Sequence, residues 1–453
     1  MNISIQNKGY LIKEFLVFFL LAFITRISYV YLQNPVPEKL IEDELLYWNA
    51  SLLYLEKGYL ENSLLAERML GVFIYVKTLL VLSFKNLKLY LSLQSILDAL
   101  TCIIIYKTGS LIIPKQKIYL FFSAAFSPLM IILSSQVLSE TIFLFFFTIF
   151  LYFSIKITLL QKYLFFNIAI AGLFLGLSCS IRTITYPLVF LSIVPLIIIL
   201  IKKNVIKLKI FIASIIFLLF SLLPISSRIN DNLKLHDSFS LTSQAGIHLA
   251  YWVAPMIISE TKNINRKDAI KLINEIAKKY TLTGDYYDDD KIFRKIGLEA
   301  LSNISKINIA YHWVKAMLIN LAAPSILIDK NLRSLPHPSF YETGKVSLWV
   351  KLLFSNKEYF NYLLIISLAS ITCLFTLISL ILGPIYFYKN HKIIFYLSIL
   401  YILYFSIITG PVLSPKYIFP ILPCIFLYQA ITFCKIVNFL KPFIVKNIKH
   451  NSN

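Results

Sequence analysis

The sequence predicts an all-α, polytopic membrane protein with about 10–11 transmembrane helices, and three observations carry that prediction. Of the 453 residues, 58% are hydrophobic and 15% are charged, whereas a soluble globular protein has roughly 45–50% and about 25%. The apolar residues are gathered into runs of about 17–25, the length that crosses a bilayer as a helix. Basic residues collect in the short segments between those runs, which is the positive-inside bias. The formal net charge of +21 therefore does not point to nucleic acid, since it is spread over short loops and does not cover one compact domain. The 36 Phe and 28 Tyr suit helices with aromatic ends at the membrane interface.

Taken in order, apolar runs fall near 13–32, 89–106, 118–134, 137–155, 163–181, 184–201, 207–226, 361–387, 393–409 and 417–434. The first is long and has no small-residue cleavage site after it, so it is expected to be a retained helix. A shorter run near 69–84 carries Lys77 at its middle. The basic segments 107–117, Lys156 to Lys162, Lys202 to Lys209, Lys389 to Lys392 and the tail from Lys435 all share one side only if 69–84 does not cross. An interfacial helix is the expected state of that run. The resulting topology has ten spans and both termini cytoplasmic. Three regions follow: a membrane module at 1–226 with its first outer loop at 33–88, a large outer loop at 227–358, and C-terminal helices with a basic cytoplasmic tail at 359–453.

A loop of about 130 residues is too long for a structureless connector. Amphipathic patterns near 266–280 and 291–306 predict helices there. Asp268 early and Lys278-Lys279 late suit the helix dipole. The loop thus reads as a helical cap. The five cysteines all lie in or near apolar runs with no CxxC spacing, so buried, inert thiols are expected. The run Asp285 to Asp290 lacks the alternation of a calcium loop and reads as a solvated turn leading into a helix at Lys291. The histidines show no ligand spacing, and no phosphate-binding glycine loop is present.

Four polar groups fall on the outer side. Asp43-Glu44, within Glu42-Asp43-Glu44-Leu45-Leu46-Tyr47, can act as a general base or hold a divalent cation near phosphate; the other reading is a solvated helix start. Glu140 opens an apolar run, either as a first-turn acid behind a Ser135 or Ser139 cap, or as a second carboxylate facing the same cavity as Asp43. Arg182, between two spans, can neutralise a lipid phosphate or snorkel to the interface. Lys416-Tyr417 lies among closely spaced prolines that bend the start of a span and can aim a basic residue inward. Asp98, with Gln94 and Thr101, is a polar set within a span: an intramembrane carboxylate is either a functional group or helix–helix glue, and its distance from both interfaces favours glue.

Together these features resemble the GT-C class of membrane glycosyltransferases, and within it the family-39 group of protein O-mannosyltransferases and bacterial aminoarabinose transferases of lipid A. Four motifs carry the resemblance, in order: Asp43-Glu44-Leu-Leu-Tyr47; Ser127-Pro128 followed by Ser139-Glu140; the Gly172 to Arg182 helix end; and Lys416-Tyr417-Ile-Phe-Pro420-Ile-Leu-Pro423. The resemblance implies a GT-C-like fold and an inverting transfer of a sugar from a polyprenyl-phosphate donor at the outer leaflet of the plasma membrane, the bacterial inner membrane. The acceptor would be a lipid, a glycan or a protein. Asp43 would be the general base or acceptor-orienting group, and Glu44 and Glu140 would form the acidic half of the site. Tyr47 would position substrate, and Arg182, Lys416 and Tyr417 would bind the donor phosphate. A divalent cation at Asp43 and Glu140 is left open. Lys416 stands where Arg is usual, and Ala66-Glu67-Arg68-Met69 stands where a histidine-proline pair is often found. The alternative is a lipid or polysaccharide transporter or flippase, against which the lack of paired internal repeats argues. A scaffold with merely solvated carboxylates is a third reading.

Overall fold

The computed structural model describes residues 2–160, 162–339, 343 and 346–450. Among the described residues every regular element is helical. The chain opens with α1 (Asn2–Gln33), α2 (Glu42–Lys57), α3 (Asn62–Glu67), α4 (Leu70–Leu82), α5 (Leu87–Ile112), α6 (Lys117–Ala125), α7 (Pro128–Ser134), α8 (Glu140–Leu159) and α9 (Leu164–Ile181). Eight helices among the described residues are long and apolar enough to cross a membrane, or nine if α6 and α7, bent by 46° at their break, form one span. Helix Lys392–Ile408, with 17 residues, accounts for the remaining apolar run, near 393–409, and is about 25 Å long. With 13 residues, α4 reaches only about 20 Å against a hydrocarbon core of roughly 30 Å. It is too short to cross, as its central lysine suggested. The Lys77 ammonium lies 3.9 Å from the centroid of the Tyr54 ring on α2, so an aromatic face receives its charge.

The α6–α7 break has a definite cause. Pro128 has no N–H to donate to the Ala124 carbonyl four residues back, and its fixed φ starts a new helix instead. Ser127 caps that helix by accepting from the Met130 N–H at 3.5 Å. The last carbonyls of α6 then need other donors, because lipid supplies none. Arg26 of α1 provides them: its guanidinium donates to Ala125 O at 2.5 Å and to Ala124 O at 3.1 Å. Its Nε donates to Asp98 of α5 at 2.7 Å, both side chains being wholly buried. Arg26 also reaches the Cys102 sulfur at 3.1 Å. Asp98 is thus the counter-ion of an arginine that caps a broken helix within the membrane.

Glycine sets the closest approach between helices. A Cβ on Gly176 would stand 2.3 Å from the Ser221 carbonyl oxygen, and one on Gly172 2.6 Å from that of Phe217. So α9 lies backbone to backbone on helix Lys207–Leu222, the small-xxx-small contact of membrane bundles. A Cβ on Gly71 would come within 2.4 Å of Ser180 O, which presses the first turn of α4 onto the end of α9.

The long polar stretch is helical, as expected, with helices at Arg266–Ala277 and Tyr286–Ser302. The second starts five residues earlier than the sequence reading placed it. Asp285 is its N-cap, accepting from the Tyr287 and Asp288 N–H groups at 2.9 and 3.1 Å. The acidic run is therefore a cap and first turn. These helices enclose their own small core of Val253, Ile257, Ala269, Ile273 and Ile296.

Arg26→Met should destabilise the protein by about 3–5 kcal/mol, because it strands Asp98 in a dry bundle. Adding Asp98→Leu should recover part of the loss and leave the Ala124 and Ala125 carbonyls without their arginine donor. Thermal unfolding of both variants in detergent checks this.

Candidate active site

Helix α2 begins at Glu42 with three acids in its first turn, a placement the helix dipole favours. The helix period turns successive side chains to different sides, and the three acids diverge accordingly. Glu42 is exposed. Asp43 faces Arg68, whose Nη2 lies 3.2 Å from its Oδ1. Glu44 is buried and accepts from the Val137 N–H at 3.2 Å, and its other oxygen forms an ion pair with Lys330. Burial holds the Glu44 carboxyl above the usual carboxylate range, against the opposing pull of Lys330 and the Val137 N–H.

One turn on, Tyr47 is buried with its ring edge-on to Phe73. Burial raises its phenol pKa, and Arg68, Asp43, Glu140 and Arg182 all act on it. Tyr47 therefore lies within electrostatic reach of both ion pairs. The second pair is Glu140 with Arg182: Nη1 donates to Oε1 at 2.7 Å. Glu140 is 2% exposed, while the Arg182 side chain keeps 29% of its surface. The guanidinium also faces the Phe143 ring at 5.9 Å. Arg182 is the residue that ends α9, with extended backbone.

The capping explanation for Glu140 is not what the chain adopts. Ser139 makes no side-chain cap; its hydroxyl donates to the Glu140 carboxylate at 3.3 Å. Ser135 donates to Ile132 O and to Gln33. Glu140 does occupy the first turn of α8, and its carboxylate is taken by Arg182.

Lys416 stands within electrostatic reach of Glu140, and Tyr417 within reach of Arg182. Both lie in a 3₁₀ segment, Pro415–Ile421, begun by a Ser414 cap. No ion pair of the Lys416 ammonium occurs among the described residues, which leaves its charge available. Tyr417 packs against the core of the long polar stretch. Asp43, Tyr47, Glu140, Arg182, Lys416 and Tyr417 thus share one neighbourhood, and Glu44 borders it with its carboxylate turned to Val137 and Lys330. Arg68 is the member whose role the sequence did not reveal; it stood only as a departure from the expected histidine-proline pair. Lys330 gave no local signal at all.

A divalent cation does not fit this arrangement. Asp43 and Glu140 are each neutralised by an arginine, and no group of three or more His, Cys, Asp or Glu side chains able to hold a metal occurs among the described residues. A cation bridging the two carboxylates would have to displace the Arg182 guanidinium from the buried Glu140 and share Asp43 with Arg68.

Arg182→Ala should cost about 3–5 kcal/mol by stranding the buried Glu140 carboxylate, and Arg182→Ala with Glu140→Gln should recover most of it. Melting temperatures in detergent decide.

No protein-family model matches the chain, and no curated protein matches it in sequence. Among solved structures it is similar to the crystal structure of ArnT from Cupriavidus metallidurans in the apo state, with a TM-score of 0.39 and 8% identity over 96% of this chain and 80% of that one.

Proposed function

We propose that the chain is an integral membrane glycosyltransferase that moves a sugar from a polyprenyl-phosphate donor to a lipid, glycan or protein acceptor at the outer face of the plasma membrane, with both termini cytoplasmic. The observation that carries this reading is that two carboxylate–guanidinium pairs, Asp43–Arg68 and Glu140–Arg182, both lie within electrostatic reach of Tyr47, with Lys416 within reach of Glu140. A site for breaking a sugar–phosphate bond needs fixed positive charge for the leaving phosphate and a carboxylate for the attacking group. Both are here, on chain segments far apart in sequence. The four motifs come from residues 43–47, 127–140, 172–182 and 416–423, and their polar ends converge.

The chemistry follows from the residues. The acceptor hydroxyl or amine attacks the anomeric carbon and gives its proton to Asp43. Arg68 engages Oδ1 of that carboxylate, and no hydrogen bond to Oδ2 occurs among the described residues. The bond from the anomeric carbon to the phosphate oxygen breaks, and its electron pair leaves on the phosphate. Arg182 and Lys416 stabilise that charge, with Glu140 fixing the orientation of Arg182. One displacement inverts the anomeric centre. Tyr47 holds its phenol among the charged groups, where it can orient donor or acceptor. Glu44 supports the site from behind through Val137. No cation enters any step.

Transfer of labelled sugar from a polyprenyl phosphate in purified membranes tests the reading. Asp43→Asn should lose ~10²–10⁴-fold in rate, the usual contribution of a positioned general base. A chelator should leave the wild-type rate unchanged. Equal transfer by wild type and Asp43→Asn would remove Asp43 from the mechanism, and loss of activity with chelator would restore a metal to it.

A further inference from the structure

Two neighbouring residues of the long polar stretch, Asp329 and Lys330, reach the turn that carries Glu140 by separate routes. We propose that they are positioning residues for Glu140, and so for the Glu140–Arg182 pair; this rests on the glycosyltransferase reading for its catalytic consequence.

The turn between α7 and α8 is irregular and buried. Ser134, Ser135, Gln136 and Val137 are all at most 6% exposed. Backbone without a helical ladder takes its position from whatever satisfies it. One support lies within the bundle: the Gln94 amide donates to Ser134 O at 2.9 Å and to Gln136 O at 2.7 Å, while its oxygen accepts from Tyr75 at 3.0 Å. The other two supports come from outside the bundle. In the first, the Ser135 hydroxyl, shared with Ile132 O at 2.7 Å, donates to Gln33 Oε1 at 3.1 Å, and Gln33 Nε2 donates to Asp329 Oδ2 at 3.1 Å. Tyr29 donates to the same Asp329 oxygen. In the second, the Val137 N–H donates to Glu44, and Glu44 is paired with Lys330.

Asp329 and Glu44 are both 4% exposed. Burying two carboxylates away from the reacting pairs is costly unless their partners stay in place. Asp329 Oδ1 also accepts from the Leu332 N–H at 3.0 Å, capping the short helix Lys330–Ser334. The cap fixes both side chains at once. Glu140 follows Val137 by three residues, so movement of the turn moves its carboxylate and, through the 2.7 Å contact, Arg182. They act through Gln33 and Glu44.

Amide hydrogen exchange and sugar-transfer kinetics on Lys330→Met and Lys330→Arg test this in the full-length protein. In Lys330→Met, which strands the buried Glu44 carboxylate and so lowers the melting temperature, exchange should quicken across residues 134–140 more than in the neighbouring helices. The turnover rate should fall about 10–100-fold, as a small misplacement of a catalytic group produces, with the KM for donor unchanged. Lys330→Arg should restore both. If Lys330→Met does not fold, Gln33→Leu cuts the other route without stranding a charge and should show the same pair of effects. Unchanged exchange at 134–140, unchanged turnover, or an equal fall in the Met and Arg variants would overturn the proposal. Asp43→Asn, measured alongside, separates the two claims. If it transfers sugar as well as wild type, the glycosyltransferase reading fails, while exchange at 134–140 still decides whether Lys330 anchors the turn.

Discussion

Backbone that leaves its helix within a bilayer must find its hydrogen bonds in the protein, because lipid offers none. That constraint governs the arrangement of this chain. Pro128 breaks a span, and Arg26 supplies the donors that the exposed α6 carbonyls require, with Asp98 balancing its charge. A few residues later the chain leaves its helix again, and Gln94, Gln33 and Glu44 hold the turn. What emerges from these two irregularities is Glu140, at the start of α8 and in contact with Arg182. The polar groups inside the first spans are therefore spent on shaping a path for the chain, and that path delivers a carboxylate to the candidate site.

Charge pairing settles how the site is built. Asp43 and Glu140 each meet one guanidinium, and Tyr47 lies within electrostatic reach of all four groups. Lys416 is left without an ion pair among the described residues and adds positive charge on the Glu140 side. A buried carboxylate paired with arginine is stable only while both partners stay, so the arrangement is held in register with little freedom. Glu44 has a different task from its neighbour Asp43. One residue apart on a helix, the two carboxylates face different partners, Val137 and Lys330 for one and Arg68 for the other.

The spans were legible because their signal is local: length and apolarity of a run are enough to place them. That the 69–84 run would not cross was suggested by Lys77 and by the count of basic loops, and its helix has 13 residues, too few to span. Gly172 and Gly176 could be seen but not interpreted, since their reason is the backbone of a helix about 45 residues further on. Arg26 was hidden inside an apolar run, and Asp98 was read as glue without a partner. In the acidic run, Asp285 was visible as polar but its role as an N-cap depended on where the helix chose to start. At the candidate site, Asp43, Tyr47, Glu140, Arg182 and Lys416 stood out because they fall in ordered motifs. Arg68 and Lys330 did not, because a single basic residue in a long loop has no pattern; only the folded chain pairs it.

The central claim is that Arg182 and Lys416 form the seat of a lipid phosphate. Binding of a polyprenyl phosphate to the purified protein, followed by native mass spectrometry for wild type and Lys416→Met, tests it most directly. Lys416 carries no ion pair among the described residues, so its loss should leave the fold intact. Loss of a charged hydrogen bond worth about 1.5–3 kcal/mol should weaken binding at least ~10-fold. Equal binding by wild type and Lys416→Met would contradict the account.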